Sequence, residues 1–264
     1  MPSSLENLDQ VDPCYLSLGS TLLADINSPA AITAGIKSPY PGFSGSVAQA
    51  LRPYPQFPSI TNSFEAIGAS SYNSLQLSAQ RRFSDRLQFL VSYVASKSLG
   101  NTDEGFSTSN AAPVNTYNRK AEWALQPTDT PQAFKLATVY QLPIGPGKRV
   151  LQRGLASKVL GGWQVGLIDT YHSGTPVSVS AANVLPFFGG GNRPNIVPGV
   201  NPQLNRGNFD PPVNKVYNAA AFSQPADYTF GNAPGVQSHP RNFPIADTDF
   251  NLLKRTRSPE ICGC

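Results

Sequence analysis

The clearest pattern along the chain is alternation with period two. From Tyr72 to Phe83, Leu75, Leu77, Ala79 and Phe83 fall on one side and Ser74, Gln76, Ser78, Gln80 and Arg82 on the other. After Ser84-Asp85-Arg86 the same rhythm resumes from Leu87 to Ser98. Here Leu87, Phe89, Val91, Tyr93 and Ala95 alternate with Gln88, Ser92, Ser96 and Ser98. Two such runs around a short polar break predict a hairpin. A third strand is expected over Gln132–Leu142, where Phe134, Leu136, Thr138, Tyr140 and Leu142 alternate with Lys135, Ala137, Val139 and Gln141. A fourth is expected over Trp163–Val179, bent at Gly174-Thr175-Pro176, and a fifth over Ala246–Arg255. Residues 100–130 and 181–243 carry no sustained period and are rich in turn formers, so they read as long loops.

These strands are long, and their connections alternate in length. Ten residues at about 3.3 Å each and about 45° tilt rise about 23 Å, close to the apolar band of about 25 Å of a membrane barrel. The connections run tight (84–86), long (99–130), medium (143–162) and very long (181–243), so the longest fall at one end of the sheet. Outer-membrane barrels have that parity, with short periplasmic turns and long external loops. In a soluble domain, unstructured loops of this length would count against the strands themselves.

Composition agrees with a β-rich, turn-rich chain. Charged residues are 14% of 264, against roughly 25% in an average soluble domain. The 22 glycines and 25 prolines are too many for a helical bundle, while 40% hydrophobic residues exclude pure disorder. No apolar run approaches the roughly 20 residues of a spanning helix, and the first 30 residues lack the pattern of a signal peptide. The net charge of +4 is scattered in short clusters, Arg81-Arg82, Lys148-Arg149 and Lys254-Arg255-Arg257, which argues against a nucleic-acid partner. Cys14, Cys262 and Cys264 form neither a disulfide ladder nor a zinc pattern.

Candidate chemistry is sparse. His172 and His239 have no nucleophile motif nearby, so they read as polar strand and loop residues and no catalytic residue is expected. Gly145-Pro146-Gly147-Lys148 has Leu142 where a phosphate loop needs Gly and Arg149 where it needs Ser or Thr; it reads as a periplasmic turn. Asp103-Glu104 could take a hard cation but reads more simply as a solvated loop pair. No metal or cofactor is therefore expected. Tyr93, Tyr140, Trp163 and Tyr171 lie near predicted strand ends, where headgroups would meet a barrel. Arg81 and Lys97 are also close enough to the ends for their stems to snorkel to water.

Several strings, in order, resemble the C-terminal barrel of TonB-dependent receptors, specifically the Oar-like, acidobacterial type that carries a carboxypeptidase-regulatory-like domain. They are Asn73-Ser74-Leu75-Gln76 into Arg81-Arg82-Phe83, Leu90-Val91-Ser92-Tyr93, and Tyr140-Gln141-Leu142-Pro143-Ile144-Gly145. Gly161-Gly162-Trp163-Gln164-Val165 and Asn218-Ala219-Ala220-Ala221-Phe222 follow. The resemblance covers about residues 10–256. It lacks the family's leader, plug and closing strands, and Asp169 stands where the family is apolar, which leaves the facing of the fourth strand open.

The expectation is an all-β fold: a partial antiparallel transmembrane barrel of about five strands at 71–256. Residues 1–70 would be a long external loop region, and 257–264 a divergent tail from truncation or frameshift. Leu75, Leu77, Phe83, Phe89, Val91 and Tyr93 would face lipid; Gln76, Gln80, Gln88 and Ser92 would face the lumen. The resemblance implies the outer membrane of a Gram-negative bacterium and a role in capturing and importing a small ligand, glycan or peptide. It implies lipid as one partner and the TonB complex, through a parent's plug, as another. The alternative is a secreted or surface adhesin or carbohydrate-binding module, in which the apolar face would meet a second sheet.

Overall fold

In the computed structural model, residues 10–60, 68–101, 114–145, 148–185, 187, 191–204, 207, 210, 212 and 215–255 are described. Asp103, Glu104, Cys262, Cys264 and the expected tail at 257–264 lie outside them.

Among the described residues, ten strands follow one another: β1 (Ser70–Ser84), β2 (Leu87–Gly100), β3 (Ala124–Leu125), β4 (Gln132–Gln141), β5 (Trp163–His172), β6 (Pro176–Val177), β7 (Asn195–Ile196), β8 (Phe222–Ser223), β9 (Gln237–Arg241) and β10 (Ile245–Lys254). The five long ones form a single sheet in the order β1-β2-β4-β5-β10, with β3 paired to the end of β2. The β2–β4, β4–β5 and β5–β10 ladders are antiparallel. Two two-stranded pieces, β6-β9 and β7-β8, complete the strands. Three short helices are α1 (Pro29–Thr33), α2 (Val47–Ala50) and α3 (Leu155–Leu160).

The fourth strand departs from expectation. Its ladder stops at His172, where the Ser173 amide closes the last rung on the Gln132 carbonyl at 2.9 Å. Pro176-Val177 pairs with β9 instead. Gly174 offers no side chain to pack, and Pro176 has no N–H to donate to a continuing ladder, so the strand ends here and does not bend onward to Val179.

The two short connections differ in construction. Between β1 and β2, Asp85 (φ 48°) and Arg86 (φ 75°) are both left-handed, as in a two-residue type I′ turn whose twist matches the flanking strands. An Arg81–Asp85 ion pair at 3.3 Å bridges this end; both groups are well exposed, so it adds little. Between β4 and β5, a bridge from Ile144 to Val150 and then α3 lead to Gly162. Gly162 has φ +82°, and a Cβ there would overlap the Arg255 carbonyl, so glycine is required where the chain re-enters the sheet.

The chain divides into two compact units that interleave along the sequence. One is the sheet, from Tyr72–Lys97, Thr130–Thr175 and the described part of Phe243–Cys264. The other gathers the described parts of Met1–Ser71, Ser98–Asp129 and Pro176–Asn242. This second unit holds the core: Val11, Leu22, Ile26, Phe43 and Val47 are buried together with Leu185 and Phe187. Leu16 packs against this cluster, while Leu23 is exposed. Its helical turns are too short to persist alone, and each begins at a polar cap whose side chain accepts a backbone N–H: Asp12, Ser28, Ser46, Asn115 and Asn218.

A left-handed arginine in the β1–β2 turn costs about 1–2 kcal/mol that glycine would not incur. Arg86→Gly should therefore raise stability by about 1 kcal/mol, read as a higher urea midpoint for the lipid-refolded chain. A lower midpoint would contradict a left-handed turn at that position.

Candidate functional site

Residues directly opposite one another in an antiparallel ladder share a face, so the registers sort the side chains of β2, β4, β5 and β10. Val91 stands opposite Leu136, Phe89 opposite Thr138, and Tyr93 opposite Phe134. Thr138 meets Leu167, which in turn meets Phe250; Tyr140 meets Val165, which meets Leu252. The result is one apolar face. Its aromatic residues gather at the two ends: Tyr93, Phe134 and Tyr171 form a row where the long connections leave, and Tyr140 and Trp163 lie at the tight-turn end. Trp163 to Tyr171 is about 26 Å along the strand. Aliphatic residues and Phe89 and Phe250 fill the space between, which is the layout of aromatic girdles flanking a hydrocarbon band.

The opposite face is the more polar one, although Leu90, Val139, Ile168 and Leu253 also lie on it. Gln88 lies opposite Val139, Ser92 opposite Lys135, and Lys135 opposite Thr170. Asp247, Asp249 and Asn251 of β10 continue this side, facing Thr170, Ile168 and Gly166. The two aspartates and Asn251 sit at period two, alternating with Thr248, Phe250 and Leu252 on the other side. Gln164, also on this face, is buried. In β1, Leu75, Leu77 and Phe83 occupy one side of the strand and Gln76 and Gln80 the other, all of them exposed.

Asp169 lies on the apolar side, between Leu136 and Thr248, near the end of β5 where the long connections leave. The Thr248 hydroxyl donates to its carboxylate at 2.7 Å. A hydrogen-bonded carboxylate near one end of the band costs far less than one at its centre.

None of the buried hydrophobic residues belongs to the sheet unit; among the described residues all of them lie in the other unit. Phe250 is 66% exposed and Leu252 51%. An exposed apolar face is what a lipid environment would cover.

The second unit is organised by ion pairs. Asp129, almost fully buried, accepts from the Ser98 amide at 2.7 Å and from Arg241 Nη2 at 2.7 Å, while Arg241 Nη1 donates to the Asp129 carbonyl at 3.1 Å. Arg193 pairs with Glu122, whose other carboxylate oxygen accepts from the Val114 amide at 3.2 Å. Gln10 Oε1 accepts from both the amide and the hydroxyl of Thr116. An open cleft of about 590 Å³ lies between the 3₁₀ turn at Leu16–Gly19 and the turn at Asp227–Phe230. Nearby, the Cys14 amide holds the Asp12 carboxyl below its usual range, and the Asp12 hydrogen bond pushes the Cys14 thiol up. Burial pushes the Tyr117 phenol up as well.

His172 sits in β5 opposite Ala133 and Ile245, and His239 in β9. At the apparent phosphate loop, the Lys148 amide donates to the Gly145 carbonyl and the Gly145 amide to the Val150 carbonyl, so these groups close a turn. Among the described residues, no helix is long and apolar enough to cross a membrane, and no three His, Cys, Asp or Glu converge.

Leu167 and Ile168 are adjacent, at the same depth and on opposite faces. Leu167→Arg would place a charge in lipid at about 2–4 kcal/mol, whereas Ile168→Arg would stay hydrated opposite Asp249 and cost under about 1 kcal/mol. Urea unfolding in lipid vesicles, followed by heat-modifiable gel mobility, measures both; equal costs would mean that neither face meets lipid.

A family model of the outer membrane beta barrel domain matches residues 17–260. No curated protein and no solved structure matches the chain. The match runs across both units, including every strand of the sheet. Antiparallel strands of spanning length, one apolar face edged by aromatics and one polar face are what such a domain requires. The chain therefore belongs to the outer membrane beta barrel domain family, and its place is the outer membrane of a Gram-negative bacterium.

Proposed function

We propose that the chain is part of a TonB-dependent receptor and takes part in the capture and energised uptake of a scarce ligand. The observation that carries this reading is the division of labour along the sequence. The connections leaving one end of the sheet are short, whereas those leaving the other supply a unit with its own buried core and ion pairs. Passive pores need no such investment of chain outside the wall. A unit with its own core, built from the long connections, fits a receptor that must hold a ligand before it passes inward. In this reading lipid surrounds the apolar face, and a small ligand, glycan or peptide meets the external unit. The TonB complex acts on a plug that the parent protein carries, and no covalent chemistry is involved.

The test compares a strain lacking the gene with one lacking TonB, across limiting sources of chelated iron, corrinoids, oligosaccharides and peptides. A shared growth defect on one source, not deepened in the double mutant, is the expected result. A defect in the gene deletion that persists equally where TonB is irrelevant would defeat energised uptake. Loss of surface adhesion with no growth defect would favour the adhesin reading.

A further inference from the structure

The connection at 142–162, at the tight-turn end of the sheet, has a surface that water does not suit. In α3, Leu155 is 82% exposed and Val159 60%, four residues apart and hence on one stripe, while Ser157 points inward at 1%. The helix is amphipathic in the wrong sense for a solvated turn: its apolar stripe faces outward and a small polar residue faces the protein. Val150 and Leu151, just before it, are exposed as well.

The charge around this stripe is of one sign. Residues 142–162 contain Lys148, Arg149, Arg153 and Lys158 and no Asp or Glu, and Lys254 and Arg255 end β10 beside them. Arg81, Arg82 and Arg86 lie near the β1–β2 turn at the same end, where Asp85 is the acidic residue among those described. The helix is also fixed in place. Trp163 Nε1 donates to the Val159 carbonyl at 3.3 Å, and Lys254 Nζ donates to the same carbonyl at 3.0 Å while lying over the Trp163 ring at 5.6 Å. The stripe thereby continues from the tight-end aromatic residues of the lipid-facing band.

We propose that the segment 148–162 docks on the bilayer at the tight-turn end, with Leu155 and Val159 inserted at the headgroup boundary and Arg149, Arg153, Lys254 and Arg255 held by anionic phospholipid headgroups. An apolar stripe flanked by Lys and Arg is the chemistry of an interfacial segment, and a cluster of cations without carboxylates selects an anionic surface over a zwitterionic one. This rests on the chain lying in a membrane, and on nothing about its ligand.

The test uses the full chain refolded into vesicles, with its native cysteines replaced by serine and an environment-sensitive fluorophore on Leu155→Cys. A second preparation carries the fluorophore on Phe250→Cys, which reports the sheet itself. Vesicles are phosphatidylcholine alone or phosphatidylcholine with about 30% phosphatidylglycerol. The 155 probe should shift to the blue and become protected from aqueous iodide only in the anionic vesicles. Arg149→Gln with Arg153→Gln should weaken that docking by about fivefold per cation removed. If the 250 probe is lipid-protected while the 155 probe stays open to iodide, or responds equally in both lipids, the docking proposal is overturned and the barrel reading stands. If the 250 probe is also open, the membrane reading itself fails.

Discussion

The structure depends on one mismatch: its widest sheet has an apolar face, yet among the described residues none of the buried hydrophobic residues belongs to that sheet. A soluble β protein resolves this by packing a second sheet about 10 Å away, and its core then lies between them. Here the buried hydrophobic residues are all elsewhere, and Phe250 and Leu252 remain half or more exposed. The backbone of the sheet interior is satisfied by neighbouring strands, which is the condition for life in hydrocarbon. With solvent polarity reversed on one face, the same alternation that would build a sandwich builds a wall. β1 and β10 stand at the edges of this sheet among the described residues, and further strands beside them are what closure requires.

The second unit follows the ordinary physics of water. It buries Val11, Leu22, Phe43 and Phe187, neutralises Asp129 with Arg241 and Glu122 with Arg193, and starts its short helical turns with capping side chains. A buried carboxylate such as Asp129 is tolerable only because Arg241 and the Ser98 amide both reach it. One chain thus contains two arrangements of its apolar residues, one spread over an exposed sheet face and one turned inward to its own core.

How much of this was legible in the sequence follows from the length of each pattern. The strands β1, β2, β4 and β10 and the start of β5 were readable because ten or more alternating residues define a face, and the break at Asp85-Arg86 was readable as a turn. The end of β5 was not: alternation runs past His172, and only the missing proline N–H and the competing partner strand β9 stop it. The aromatic rows were half legible. Tyr93 and Tyr171 stand out near strand ends, but the sequence cannot show that odd positions of β2 and β5 meet even positions of β4, so Phe134 joins their row only once the register is known. The second unit was illegible as a fold. Its elements are strands of two to five residues and helical turns of three to eleven, most shorter than any period they could display, and its core joins Val11 to Phe187 across most of the chain.

The Asp129–Arg241 pair joins positions 112 residues apart, and the Gln10–Thr116 bond spans 106. Closing a loop of that size costs about 2 kcal/mol more entropy than closing one of ten residues. The β1–β2 hairpin, by contrast, needs only a two-residue turn. Contacts of such unequal reach impose an order in time. Local hairpins form early, and the unit whose segments enter from three separated stretches of chain can assemble only when the last of them, ending at Asn242, has arrived. In folding, the first hairpin therefore precedes both the second unit and the pairing of β10 with β5, whose partners lie 73 or more residues apart.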